Sequence, residues 1–143
     1  MAAVSKAEST WRGGLADGRG EVRVASGAFP PFEVTWAARA ERKGELTSPE
    51  ELLAAAHAAC FSMALSNGLG QAGHPPEQLD VSAEVTFQPG EGIKSSVLTV
   101  RGRVPGLDEA GFRAAAEDAK ANCPVSKALA GTEISLAEAR LEG

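Results

Sequence analysis

Cys60 and Cys123 are the two cysteines of the chain, and His57 and His74 its two histidines. The chemistry these residues could do is thiolate chemistry, because the ionised sulfur, not the thiol, is the nucleophile. Each cysteine also has a plain reading. Cys60 lies in the run Ala58-Ala59-Cys60-Phe61, where an apolar helix would hold it as an inert core thiol with a raised pKa; to react, it needs a nearby cation. Cys123 lies in Asn122-Cys123-Pro124, a helix break, where free backbone N–H groups favour a thiolate. Its plain reading is a filler at the junction. A disulfide between the two requires Cα atoms within about 7 Å, which spacing alone does not fix.

The histidines open two competing readings. His57 precedes Cys60 by one helical turn and shares its face, which would suit a Cys–His dyad and hence a thiol hydrolase or acyl transferase. No third member or oxyanion loop accompanies it, so His57 reads as a helix-packing residue. The set His57, Cys60, His74 and Cys123 matches no common zinc spacing, in which paired ligands lie two to four apart. A third reading is a non-enzymatic binder of small apolar ligands.

The rest of the chain narrows the class. Its 143 residues fit a single domain over 1–143 with its own core. A net charge of -5 argues against nucleic acid and anionic membrane surfaces as partners. Residues 1–12 carry Lys6, Glu8 and Arg12 and no apolar run, unlike a signal peptide. No uninterrupted apolar run of about 18 residues predicts a membrane span. A cytoplasmic protein is expected, where cysteines stay reduced unless they do chemistry.

Periodicity supplies the elements that must position these residues. Residues 19–26 alternate as a strand, and 32–40 continue as a β-type segment after the turn at Gly27 to Pro31. Thr47-Ser48-Pro49-Glu50-Glu51 is a helix start, with capping hydroxyls, proline at the first position and acids at the positive end of the dipole. From Leu52 to about Leu69 the helix is apolar in nearly every direction, which predicts burial on several sides and hints at a partner subunit. Gly68, Gly70 and Gly73 end it. Residues 79–88 and 94–104 alternate as a hairpin. Residues 108–120 read as an amphipathic helix, 125–130 as a short second helix, and 132–141 as a last strand with a phase slip that suggests a bulge. The fold class is α+β with antiparallel sheets.

Two segments carry a family resemblance. Thr47-Ser48-Pro49-Glu50-Glu51-Leu52 followed by Ala55-Ala56-His57-Ala58-Ala59-Cys60-Phe61-Ser62-Met63-Ala64-Leu65, together with Asn122-Cys123-Pro124-Val125-Ser126, resembles the signatures of the OsmC/Ohr family of osmotically induced and organic-hydroperoxide-resistance proteins. The similarity runs from about Trp11 to Leu141 and leans toward the OsmC branch. It implies a long buried central helix in an intertwined homodimer. It implies a thiol peroxidase in which Cys60 is the peroxidatic cysteine, Cys123 the resolving one, Glu50 the site glutamate and Arg39 the site arginine, with Arg42 and Arg19 as rivals. The substrate would be an organic hydroperoxide and the reductant a dithiol, of lipoyl type in the family. The chemistry calls for no metal, flavin or haem.

These roles make physical sense. Arg39 would support the Cys60 thiolate and the charge on the leaving oxygen, and Glu50 would hold the guanidinium in a bidentate pair. If residues 50 to 60 form one helix, Glu50 and Cys60 stand about 15 Å apart along its axis. Each site would then be shared, with Glu50 and Arg39 of one subunit serving Cys60 of the other. Phe29, Phe32, Leu53, Met63 and Phe87 are candidates to line an apolar pocket. Glu41, Glu45, Glu77 and Glu84 read as a solvated face.

Overall fold

Three short strands open the chain, and the first leaves almost no mark in the sequence. β1 (Ala7–Arg12) pairs antiparallel with β2 (Arg19–Val24), and β2 pairs antiparallel with β3 (Phe32–Val34). All six β1 side chains are exposed, so no inward phase exists to produce alternation. The computed structural model describes residues 1–142 and divides into two units, 1–49 and the chain from Glu50 onward. In the first unit, Gly20 sits at a close approach. A Cβ there would lie 2.8 Å from Trp11 Cε3 and 2.9 Å from Val34 Cγ2.

The β-type segment expected over 32–40 ends early. The strand stops at Val34, and α1 (Trp36–Glu41) takes over. Thr35 causes the switch: in extended conformation, its hydroxyl accepts a hydrogen bond from the Ala38 N–H at 3.1 Å. Ala37, Ala38 and Ala40 then supply strong helix formers.

In the second unit, α2 (Pro49–Gln71) starts where the capping pattern places it, with Pro49 first and Glu50 and Glu51 in the first turn. It runs past Gly68 and Gly70. The stop is at Gly73, whose φ of 88° is the left-handed conformation that favours glycine, and the His74 N–H reaches back to the Leu69 carbonyl at 2.8 Å. Within one chain α2 buries a single stripe, His57, Phe61, Leu65 and Leu69. Ala55, Ala56, Ala59 and Met63 form an open apolar stripe, with Met63 72% exposed. Burial on every side is therefore not achieved inside one chain. By length and composition alone, α2 is also long and apolar enough to cross a membrane. Its inward stripe is instead joined to a polar-containing protein core through His57.

That core lies on a three-stranded sheet. β4 (Gln78–Gln88) and β5 (Gly92–Arg103) form the expected antiparallel hairpin. α3 (Glu109–Asn122), capped by the Asp108 carboxylate accepting from the Gly111 N–H at 2.8 Å, and α4 (Pro124–Ala128) form a crossover to β6 (Glu133–Leu141). Because of that crossover, β6 pairs parallel to β5, so this sheet is mixed rather than antiparallel throughout. The expected phase slip in β6 is present. Leu98 pairs with Leu136 and Thr99 with Glu138, skipping Ala137. Phe61 and Leu65 of α2, Phe112 and Ala116 of α3, and Leu98 and Val100 of β5 are fully buried together.

Candidate active site

The crossover brings the two sulfurs together. Cys60, in the middle of α2, packs partly buried against the core, and Cys123 is the junction residue that ends α3 and caps α4. Both are free thiols, Cys60 partly buried and Cys123 fully buried, and their side chains share a hydrogen bond. Pro124 produces this geometry. It cannot continue the ladder of α3, and its fixed φ starts α4 at once, leaving the Val125 and Ser126 N–H groups in the first turn that follows Cys123, where they lower its pKa.

The two thiols are made unequal. Burial pushes the Cys60 thiol up, and its hydrogen bond and proximity to Cys123 push it further, against the Val125 N–H, which lowers it. Burial also pushes Cys123 up. There, hydrogen bonds from Cys60, from the N–H and hydroxyl of Ser126 and from the Val125 N–H outweigh burial and bring it below the ordinary thiol value. Cys123, with its pKa lowered, is the more acidic thiol of the pair, and Cys60, with its pKa raised, the less acidic. This matches the expectation for a cysteine at a helix break and for one in mid-helix.

His57 is occupied elsewhere than at Cys60. Its Nδ1 lies 2.6 Å from Ser96 Oγ and its Nε2 2.8 Å from Ser126 Oγ. With both ring nitrogens engaged, no Cys60–His57 dyad forms. The ring is fully buried, and burial lowers its pKa, so it is neutral near pH 7. Ser96 and Ser126 are both buried beside His57; the sequence reasoning did not single out Ser96 and gave Ser126 only as a member of the second motif, with no role. The signal was available for Ser96, which holds the inward phase of β5 with Leu98 and Val100.

Glu50 and Arg39 lie on separate elements. Glu50, 5% exposed, sits in the first turn of α2. Because α2 is one unbroken helix over Pro49–Gln71, Glu50 and the Cys60 of the same chain stand about 15 Å apart along the axis. Arg39 is on α1 and lines a cleft of about 400 Å³ with Trp11, Leu15, Val34, Trp36 and Pro49. Its rivals are placed otherwise. Arg19 Nη1 pairs with Glu33 Oε2 at 3.0 Å across β2 and β3, and Arg42 Nη1 donates to the Ala38 carbonyl at 2.8 Å.

The apolar lining beside Arg39 thus comes from Trp11, Leu15, Val34, Trp36 and Pro49, none of which is in the expected set. Phe29 and Phe32 stack on each other, centroids 5.6 Å apart. Met63 lines a different cleft with Ser62, Ser66, Asn67 and Leu79. Among the described residues, no group of three or more His, Cys, Asp or Glu side chains converges as a metal site.

Comparison with known proteins gives a consistent result. Residues 42–137 match the OsmC-like protein family. The chain is 42% identical over 135 residues to the peroxiredoxin OsmC of Escherichia coli strain K12, covering 92% of each chain. It is 33% identical over 94 residues to an organic hydroperoxide resistance protein of Xanthomonas axonopodis pv. citri, covering 62% of this chain and 63% of that one. Among solved structures, the organic hydroperoxide resistance protein OhrB of Bacillus subtilis superposes with a TM-score of 0.64 at 26% identity, covering 96% of this chain and 98% of that one. An OsmC protein of Legionella pneumophila superposes with a TM-score of 0.69 at 24% identity over 99% of this chain and 100% of that one, a likeness of fold.

Proposed function

The chain belongs to the OsmC-like protein family, and from that premise we propose that it is a thiol-dependent peroxidase reducing organic hydroperoxides to alcohols. The observation that carries this reading is the hydrogen-bonded pair of reduced thiols, Cys60 partly open and Cys123 buried beneath it. Such a pair can accept an oxygen and then close on itself.

The reaction runs in three steps. Cys60, on passing its proton to the Cys123 thiolate, attacks the outer peroxide oxygen. The S–O bond forms, the O–O bond breaks, and the alkoxide leaves and takes a proton from solvent. The Cys60 sulfenic acid then condenses with Cys123: the S–S bond forms, the S–O bond breaks and water leaves with the Cys123 proton. A dithiol reductant, of lipoyl type, restores both thiols by exchange.

Arg39 supplies the positive charge that Cys60 lacks within its own helix, and Glu50 orients that guanidinium. The axial separation of Glu50 from its own Cys60 supports a homodimer with shared sites, as does the open apolar stripe of α2. The aromatic cleft beside Arg39 suits an alkyl or aryl peroxide over hydrogen peroxide, since apolar burial rewards the organic group. The protein works in the cytoplasm, where dithiol reductants keep the pair reduced.

The test is turnover of cumene hydroperoxide with a dithiol. Wild type turns over, Cys60→Ser is inactive, and Cys123→Ser reacts once per site and then stalls when small thiols are withheld. Absence of turnover by the wild type with any organic peroxide overturns the reading in favour of an apolar-ligand binder.

A further inference from the structure

His57 is a buried ionisable group to which the peroxide chemistry assigns no step. A packing role alone would be better served by an aliphatic side chain, because a buried imidazole needs both nitrogens satisfied. The chain meets that need with two further buried polar groups. Ser96 stands at 2.6 Å from Nδ1 in a row otherwise made of Leu98 and Val100, and Ser126 stands at 2.8 Å from Nε2 on α4. Three polar side chains are thus buried on three elements to make one continuous chain of hydrogen bonds. Its far end reaches Cys123, because Ser126 stands in the first turn of α4, the helix that Cys123 caps, and its hydroxyl lowers the Cys123 pKa.

Ser126 is the joint of this chain, and a hydroxyl has a single proton to donate. When His57 carries its proton on Nε2, it donates to Ser126 Oγ, and the hydroxyl proton is left to point at sulfur. Nδ1 then accepts from the Ser96 hydroxyl. When His57 carries its proton on Nδ1, the Ser126 hydroxyl donates to Nε2 and presents only a lone pair to sulfur. The first arrangement supports a thiolate and the second a thiol. The other ionisable group in contact with Cys123 is Cys60, on α2.

We propose that His57 is a positioning residue for Cys123: held by Ser96 as the Nε2–H tautomer, it makes the Ser126 hydroxyl a donor to the Cys123 sulfur. The role concerns the acidity of Cys123 alone, so it stands or falls independently of whether the protein is a peroxidase.

Two experiments test it. Imidazole nitrogen NMR of the reduced wild type shows His57 protonated at Nε2 and bare at Nδ1; protonation at Nδ1 overturns the proposal. In a Cys60→Ser background, where Cys123 is the sole thiol, the thiolate ultraviolet absorbance is followed against pH. His57→Phe and Ser126→Ala each reduce the thiolate population at neutral pH by about tenfold, the size of one lost charge-assisted hydrogen bond. The double variant shows no further reduction, because both changes cut the same path. His57→Gln, whose amide can donate to Ser126, restores much of the loss. A purely structural role lowers thermal stability but leaves the titration midpoint in place, and that result overturns the proposal. If His57→Phe does not fold, the wild-type spectrum and Ser126→Ala still decide.

Discussion

Cys60 and Cys123 share a hydrogen bond although one belongs to the middle of a 23-residue helix and the other to a single-residue junction between two helices. The contact orders the pair: Cys123 is the more acidic thiol and Cys60 the more accessible one. Acidity and access are thus divided between two sulfurs, and the proposed mechanism has the peroxide meet Cys60.

The division makes the source of positive charge at Cys60 decisive. Arg39→Met lowers kcat/KM for cumene hydroperoxide by about 10²–10³-fold, the scale for losing one donor to a developing oxyanion. Arg19→Met and Arg42→Met stay within a few-fold of wild type, since one holds Glu33 and the other the α1 carboxyl end. Steady-state kinetics on the three variants checks this; a large loss with Arg19→Met instead would assign the role to the β1–β2 loop side.

Met63, on the open stripe of α2, tests the shared-site dimer. Met63→Asp shifts the chain from dimer to monomer in sedimentation equilibrium, because a carboxylate is costly to bury without a partner. Thermal unfolding of the isolated chain changes little, as this side chain is 72% exposed there. Turnover falls together with the dimer fraction.

Burial of His57 sets a pH dependence of stability. Its pKa lies below the ordinary 6.5 when folded, so as pH falls through 6.5 the unfolded chain takes up a proton that the folded chain refuses. The contribution is fully present above pH 6.5 and is lost downward toward the folded pKa, with a slope of up to about 1.4 kcal/mol per pH unit. Urea unfolding at pH 7.5 and 5.5 shows a smaller loss for His57→Gln than for wild type; equal losses contradict a neutral buried imidazole.

Gly102, near the end of the central strand β5, has no room for a side chain. A Cβ would lie 2.8 Å from Phe112 Cζ and 2.9 Å from Leu79 Cδ2. Gly102→Ala therefore destabilises the fold by about 1–3 kcal/mol through overpacking, measured as a lower urea midpoint with an unchanged m-value. Trimming Phe112 to Leu in the same chain recovers part of the loss.

Much of this was legible in the sequence, and what was not had physical reasons. Pro49, Glu50 and Asp108 announce their helices because capping chemistry is local. The β6 bulge was visible as a phase slip between Leu136 and Ala139. β1 was invisible because an exposed strand needs no inward residues. Trp36 to Glu41 looked extended because Val34 and Trp36 have strand preferences, and only the Thr35 cap reverses that. The cysteines were found by motif. Ser126 stood in the second motif without a role, since its contact with His57, 69 positions away, exists only after folding.

Parallel pairing of β6 with β5 also orders events during synthesis. An antiparallel hairpin such as β4–β5 can close as soon as both strands emerge, but a parallel strand must wait for its whole crossover. α3, Cys123 and α4 lie inside that crossover, so their final placement waits for β6 to pair. Cys60 is made earlier, on α2, so an oxidant reaching the nascent chain before β6 has paired meets a thiol beside which Cys123 is not yet fixed.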